Sequence, residues 1–291
     1  MNTGMRYRNA SQGKKVFIIL LQLVMLTYVL LIIYPLFNMV MSSFKSTRDI
    51  MLSPFSLPES FSFENYVTIW VDKGFGRYFL NSLLFTGGAM VFVVLFGSMA
   101  AYGIARYKFR GNTLLYMLFL SGIMLPLKAA VIPLFQIVKS LGLMDNPLSV
   151  ILVFIAMGLP STVFILSGFM RTIPGELEQA ARIDGCSDLR IYSQIVMPIT
   201  APSIALVTIY NAVPIWNDFF FPLVFIQSDK FKTLPVGLSS FIGQHSTKWD
   251  LLFTGLSIAI VPMLLLYLFM SKYFITVSYT HLRAHETGRN L

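Results

Sequence analysis

Charged residues divide this chain into long apolar stretches joined by short polar connectors. The first charge-free stretch runs Val16–Phe44, between Lys15 and Lys45, and the second Tyr78–Ala105, between Arg77 and Arg106. A third, Gly111–Leu127, is short, is closed by Lys128, and continues as apolar sequence through Val138. The fourth is Asn146–Met170, the fifth Ile191–Asn217 with an apolar continuation to Ile226, and the sixth Leu251–Ser271. A helix needs about 20 mostly apolar residues to cross hydrocarbon. The pattern therefore predicts an all-α membrane protein with six spans, at about 16–41, 78–105, 112–137, 147–170, 201–226 and 251–274. Pro126 and Lys128 make the third span the least regular, but a lysine near a helix end carries its ammonium to the interface. A cleavable signal peptide is the competing reading of the first stretch. That stretch is longer than an h-region of roughly 7–15 residues and no small-residue cleavage site follows, so a retained helix is expected.

Composition agrees with the pattern. The 291 residues are 56% hydrophobic and only 12% charged, where a soluble domain carries about 25% charged residues. There is too little polar surface to coat a globule, no internal repeat, and no loop long enough for a second domain. The net charge of +9 does not require nucleic acid, because basic residues at membrane edges give the same total. Arg6, Arg8, Lys14 and Lys15 precede the first span; Arg106, Lys108 and Arg110 crowd between the second and third. With Arg171, Arg182 and Arg190 they share one side of an alternating six-span chain, and the positive-inside rule makes that side, with both termini, cytoplasmic. The segment Lys45–Arg77 is charge-balanced by Asp49, Glu59, Glu64 and Asp72, which suits a translocated loop. The lone cysteine, Cys186, allows no internal disulfide or thiolate metal cluster and reads as a small packing residue.

The connector 171–200 carries the most information. Pro174 stands where a helix can begin without losing a hydrogen bond. Glu176 and Glu178 follow in the first turn, where carboxylates favour the positive end of the helix dipole. Ala180 and Ala181 form helix with little bulk, and Gly185 stands where a C-terminal cap would end it. The segment predicts a short helix, a turn, and a second helical piece entering the membrane near Pro198. Such a helix suits a groove on another protein; a plain surface connector is the other reading. Asp218 is the sole acid well inside a predicted span, beside Trp216 and Asn217. It reads either as a pore or substrate contact, with Asn211, Tyr210 and Asn217, or as part of a helix break between Pro214 and Pro222. His245, near Trp249, reads as a solvated or interfacial residue.

The connector resembles the signature loop of binding-protein-dependent ABC importer permeases: Glu-Ala-Ala, three residues, Gly, nine residues, Ile-x-Leu-Pro. Here Gln179-Ala180-Ala181, Gly185, Ile195, Met197 and Pro198 keep the spacing, with Gln179 in place of Glu and Met197 in place of Leu. Further matches are to the carbohydrate-importer subfamily, of the maltose-permease second-subunit type. They include Tyr78-Phe79-Leu80-Asn81-Ser82, Arg106-Tyr107-Lys108-Phe109-Arg110-Gly111, Met124-Leu125-Pro126, Trp216-Asn217-Asp218-Phe219 and Thr233-Leu234-Pro235-Val236-Gly237-Leu238. The resemblance implies the type I importer permease fold over 16–276, after a cytoplasmic tail 1–15. It implies a half-pore in the bacterial cytoplasmic membrane, paired with a second permease, two ATPase subunits and an extracytoplasmic sugar-binding protein. Glu178, Gln179, Ala180, Ala181, Asp184, Gly185, Ile195 and Pro198 would couple to an ATPase subunit, which binds the ATP and magnesium. This chain has no G-x-x-x-x-G-K-[ST] phosphate loop, binds no cofactor of its own by this reading, and is not an enzyme. The alternatives are the same machine with a non-sugar substrate, or a secondary transporter that works alone.

The stretch Val277–Thr287, with His281, His285 and Glu286, resembles one frame of a transposon-type sequencing adapter. Residues 277–291 are therefore expected to be a non-native tail rather than a metal-binding helix. Without them the +9 falls by one and His245 is the only histidine left. A native reading frame at the source locus would overturn that reading.

Overall fold

The computed structural model describes residues 12–243 and 246–287, with side chains described from Gly13 to Lys272. The readings of Arg6, Arg8 and His245, and of the side chains in 277–291, lie outside the described residues. Among those described, every regular element is helical apart from one isolated bridge, Ile242 with Thr247. The elements are α1 Gln12–Ser42, α2 Thr47–Leu52, α3 Glu64–Val67, α4 Phe75–Arg106, α5 Asn112–Met124, α6 Val131–Ser140 and α7 Pro147–Met170. Then come α8 Glu176–Ile183, α9 Asp188–Ile191, α10 Met197–Trp216, α11 Phe220–Phe225, α12 Leu234–Ser239 and α13 Trp249–Thr287. Five helical stretches are long and apolar enough to cross a membrane: Gly13–Ser42, Phe75–Arg106, Pro147–Met170, Asp188–Trp216 and Trp249–Lys272.

The predicted span 112–137 is not one helix. α5 ends at Met124, residues 125–130 form a turn, and α6 begins at Val131. Pro126 offers no N–H to continue the ladder, and its carbonyl instead accepts the N–H of Ala129 at 2.8 Å. Pro133 falls in the first turn of α6, where its missing donor costs nothing. The predicted span 201–226 is likewise divided, because α10 stops at Trp216 and α11 starts at Phe220. At its other end α10 is longer than predicted, running back through a π-helical turn, Tyr192–Val196, into α9. In that turn the Met197 N–H donates to the Tyr192 carbonyl. A wide turn just ahead of Pro198 keeps the proline ring clear of the preceding carbonyls.

The chain forms two compact units. One comprises, among the described residues, 12–73 and 241–258. Its α1 is apolar all round, and its apolar side chains through Phe37 are mostly exposed, as suits a helix solvated by lipid. Directly after it Lys45 is buried, with its ammonium donating to the carbonyls of Ser53 at 2.6 Å and Ser56 at 2.9 Å and to the Ser56 hydroxyl at 3.0 Å. Asn65 donates to the carbonyls of Ser43 and Lys45, and the Phe44 ring packs among Phe61, Phe63 and Tyr66. Lys45, counted in the sequence among the charges of the balanced segment Lys45–Arg77, is the pin of this segment.

The other unit, residues 74–240 and 259–287 among those described, is built on α4 and α7. Both helices bury every fourth residue: Phe85, Ala89, Val93, Gly97 and Ala101 on α4, and Val150, Phe154, Gly158, Thr162 and Leu166 on α7. Such rows interdigitate as ridges in grooves. Small residues set the distance: a Cβ on Gly97 would lie 2.5 Å from Thr162 Cγ2, and one on Gly158 2.8 Å from a Val93 methyl. Close approach through small residues is how helices associate where lipid removes the hydrophobic drive. Among the connections, Asp145 closes the loop between α6 and α7. Its Oδ1 accepts the N–H of Gln227 (2.9 Å), and the N–H (2.8 Å) and hydroxyl (2.9 Å) of Ser228. These donors, Ser228 foremost, hold its carboxyl below the usual carboxylate range.

Two outcomes follow. Gly97→Ala should lower the thermal midpoint of the detergent-solubilised protein, by the roughly 1–3 kcal/mol of an overpacked core. Adding Thr162→Ser, which removes the opposing methyl, should recover most of the loss; equal midpoints for all three proteins would contradict the packing. For Asp145, a depressed carboxyl stabilises the fold above its unfolded pKa of about 3.9 and ceases to as pH falls through its folded value. The midpoint difference between wild type and Asp145→Asn should therefore be constant near neutrality and close below about pH 4.

Candidate functional site

Within 171–200, α8 begins two residues after Pro174, not at it. Gly175 caps it, and its carbonyl accepts the N–H groups of Glu178 and Gln179, both at 3.1 Å. At the other end Gly185 has φ +78, a left-handed conformation that glycine adopts without strain. The Cys186 N–H reaches the Ala181 carbonyl at 2.9 Å and the Gly185 N–H that of Arg182 at 3.1 Å, the paired bonds of a Schellman motif. Half-buried Cys186 and Ile195 pack against the cluster around Ala181, Ile191 and Val196.

The two faces of α8 differ sharply. Glu178 and Ala181 point inward, Glu178 with 5% of its surface exposed. Gln179, Ala180, Arg182, Ile183, Asp184 and Gly185 are exposed, as is Pro198. Three large apolar side chains stand out in this otherwise polar loop: Leu177, Ile183 at 86% and Leu189 at 70% exposure. Arg182 pairs with Asp188 at 3.0 Å, bridging α8 to α9, and this contact raises its guanidinium pKa above the ordinary value.

Inward, Glu178 meets the end of α4. Its Oε1 is 2.6 Å from Arg106 Nε in a buried ion pair, and its Oε2 accepts a long bond, 3.5 Å, from the Tyr102 hydroxyl. The Arg106 Nη2 also donates to the Ile173 carbonyl at 2.9 Å, just ahead of α8. Tyr102 packs against Tyr192, with ring centroids 5.3 Å apart, and the Tyr192 hydroxyl lies 2.7 Å from the Ser98 hydroxyl. Ser98, Tyr102 and Arg106 are four residues apart along one face of α4. Removing one partner of such a buried pair strands a charge, at a cost of about 3–5 kcal/mol. In the sequence Arg106 registers as a charge for topology and as part of the family-like run Arg106–Gly111, and Tyr192 not at all. Each partner is distant in the chain, so no local spacing announces the cluster.

The second group of candidates lies around the divided spans. A cavity of about 530 Å³ is lined by, among others, Pro126, Lys128, Ser161, Tyr210, Asn211 and Pro214. Asn211 is 6% exposed and fully engaged. Its amide donates to Thr162 Oγ1 at 3.1 Å and the Val207 carbonyl at 2.8 Å, and its Oδ1 accepts from Ser161 at 2.9 Å. It binds α10 to α7. The polar groups with open surface at this cavity are Tyr210 and Lys128, the latter with its ammonium 5.9 Å from the Phe220 ring centre. Asn217 is exposed and donates back to the Val213 carbonyl at 2.9 Å. Asp218 is buried at 8% exposure and accepts the Phe221 N–H at 2.9 Å, so its carboxylate starts α11 after the break. No group of three or more His, Cys, Asp or Glu with metal-binding placement occurs among the described residues.

Residues 93–276 match the family described as binding-protein-dependent transport system inner membrane component. The chain is 36% identical over 263 residues to the diacetylchitobiose uptake system permease protein NgcG of Streptomyces coelicolor, covering 89% of this chain and 87% of that one. It is 35% identical over 242 residues to the melibiose/raffinose/stachyose import permease protein MelC of Bacillus subtilis, covering 83% and 87%. Its fold is similar to a chain in the crystal structure of a bacterial ABC transporter involved in import of the acidic polysaccharide alginate. That match has a TM-score of 0.79 at 23% identity and covers 91% of this chain and 99% of the other. The chain belongs to the binding-protein-dependent transport permease family, whose members are transport subunits and not enzymes.

Proposed function

We propose that this permease is one half of the transmembrane pore of an ATP-driven importer for a sugar or oligosaccharide, in the bacterial cytoplasmic membrane. A second permease completes the pore, two ATPase subunits bind ATP and magnesium below it, and an extracytoplasmic binding protein delivers the sugar. The sugar class is supported by the names of relatives such as NgcG and MelC. The observation that carries the coupling role is the two-sided α8, with Glu178 buried against α4 and Ile183 exposed at the loop tip.

In this reading the loop 171–200 is cytoplasmic, as are both termini, and Ile183 with Leu177 and Leu189 enters a groove on an ATPase subunit. Gln179, Ala180, Asp184 and Gly185 surround that contact. Glu178, Ala181, Ile195 and Pro198 act from behind it by shaping the loop. ATP binding closes the ATPase pair, and the loop passes that rigid-body motion to the spans, exposing the pore to alternate sides. Of the candidate pore residues, Asp218 and Asn211 serve through the helix break and the α7–α10 junction. Asn217, with Tyr210 and Lys128, presents polar groups to the passage.

The test is uptake by the whole reconstituted importer. Ile183→Asp should release the ATPase subunits on purification and abolish ATP-driven uptake, while the permease still reaches the membrane. Gly185→Asn, which tolerates the left-handed conformation, should retain far more uptake than Gly185→Val, which does not. Uptake that persists with an inactivated ATPase subunit would instead point to a transporter working alone. For the substrate class, calorimetry of the binding protein against a sugar panel should find a saccharide ligand; exclusive binding of a non-sugar would overturn that part.

A further inference from the structure

We propose that Arg106 and Glu178 are positioning residues, a buried charged latch that makes α8 move as one body with α4. The proposal rests on the coupling role given above to the loop 171–200, and adds the route by which its motion enters the membrane.

The geometry argues for a latch rather than incidental packing. An eight-residue helix is too short to hold its shape alone in water, so its attachment decides what it can transmit. Its inward charge, Glu178, is spent on one residue, Arg106, at 2.6 Å. Arg106 holds the loop a second time, 2.9 Å from the Ile173 carbonyl ahead of α8, so the chain is gripped on both sides of the helix start. One and two turns earlier on the same face of α4, Tyr102 reaches Glu178 and Ser98 reaches Tyr192. α8 and the start of the following helix are therefore both referred to α4. The onward connection into α10 runs through the π-helical turn Tyr192–Val196 and Pro198, where the regular hydrogen-bond ladder is interrupted. An arginine suits the latch because its planar fork can hold a carboxylate and a carbonyl at once, which lysine cannot.

The experiment uses the complete importer in liposomes: this permease, the second permease, both ATPase subunits and the binding protein. Three quantities are read for each variant: ATPase subunits retained, ATP hydrolysed, and sugar taken up per ATP. Glu178→Gln and Arg106→Gln should keep the ATPase subunits bound and hydrolysis running while uptake per ATP falls about tenfold, within the range of measured coupling energies. Arg106→Lys, which keeps a cation beside Glu178 but cannot also hold the Ile173 carbonyl, should lose clearly less uptake per ATP than Arg106→Gln. An unchanged ratio in the single variants would overturn the latch. So would loss of ATPase subunits matching that of Ile183→Asp, since Glu178 would then act at the docking face. If the neutral variants fail to accumulate, Arg106→Lys decides: uptake per ATP lowered several-fold with the ATPase subunits retained supports the latch, and an unchanged ratio sinks it. The underlying coupling role fails separately, if Ile183→Asp leaves ATPase retention and uptake unchanged.

Discussion

A polar group held away from water must find its partner within the protein, because an unmatched donor, acceptor or charge costs several kcal/mol. With only 12% charged residues the chain has few charges to place, and several of its buried polar groups sit where elements join. Lys45 gathers the segment after α1 by donating to two carbonyls and a hydroxyl. Asn211 joins α10 to α7, and Asp218 supplies the acceptor that lets α11 restart. Arg106 and Glu178 join α8 to α4. Apolar packing fills the space between helices, but these hydrogen bonds and this ion pair fix which turn faces which.

Packing and polar placement depend on each other here. The row of fourth residues along α4 and α7 passes through Gly97 and Gly158, so the two helices come together near the middle of both. That approach brings Thr162 to where α10 can offer Asn211. Farther along α4 the same face changes character, from Val93 and Gly97 to Tyr102 and Arg106. One helix thus serves as a packing rail over most of its length and as a polar socket at its end.

The spans were legible because hydrocarbon imposes a length of apolar sequence that charged residues delimit. Four of the six predicted spans correspond to long apolar helices, and a fifth, though divided at 217–219, corresponds to Asp188–Trp216. Gly185 was legible too, since the end of a helix is a local problem of backbone conformation, solved by a residue free to take φ +78. The breaks were less so. Hydropathy averages over Leu125–Ala130 and Asn217–Phe219; only Pro126, and the reading of Asp218 as a helix break between Pro214 and Pro222, pointed to them, and neither set the boundaries. Hidden most fully were the pairings, because Arg106 and Glu178 each look like an ordinary loop charge until the fold brings α8 to the end of α4. Glu178 in particular reads from sequence as a helix-dipole residue facing a partner, and the structure turns it inward.

That inward turn changes how the departure at Gln179 weighs. The loop keeps two acids in the first turn of α8, but Glu178 is neutralised by Arg106 and only Glu176 faces outward there. Position 179, exposed, carries an amide rather than a carboxylate, and Arg182 is engaged by Asp188. Exposed ion pairs contribute about 0–1 kcal/mol and weaken with salt. Fully burying a side chain the size of Ile183 contributes about 1.5–3 kcal/mol. On that comparison the outer face of α8 is an apolar knob with a lightly charged rim. In the proposed coupling role its grip on the ATPase subunit would rest on Ile183 and Leu189, and the neutral residue at 179 would remove a minor contribution rather than the main one.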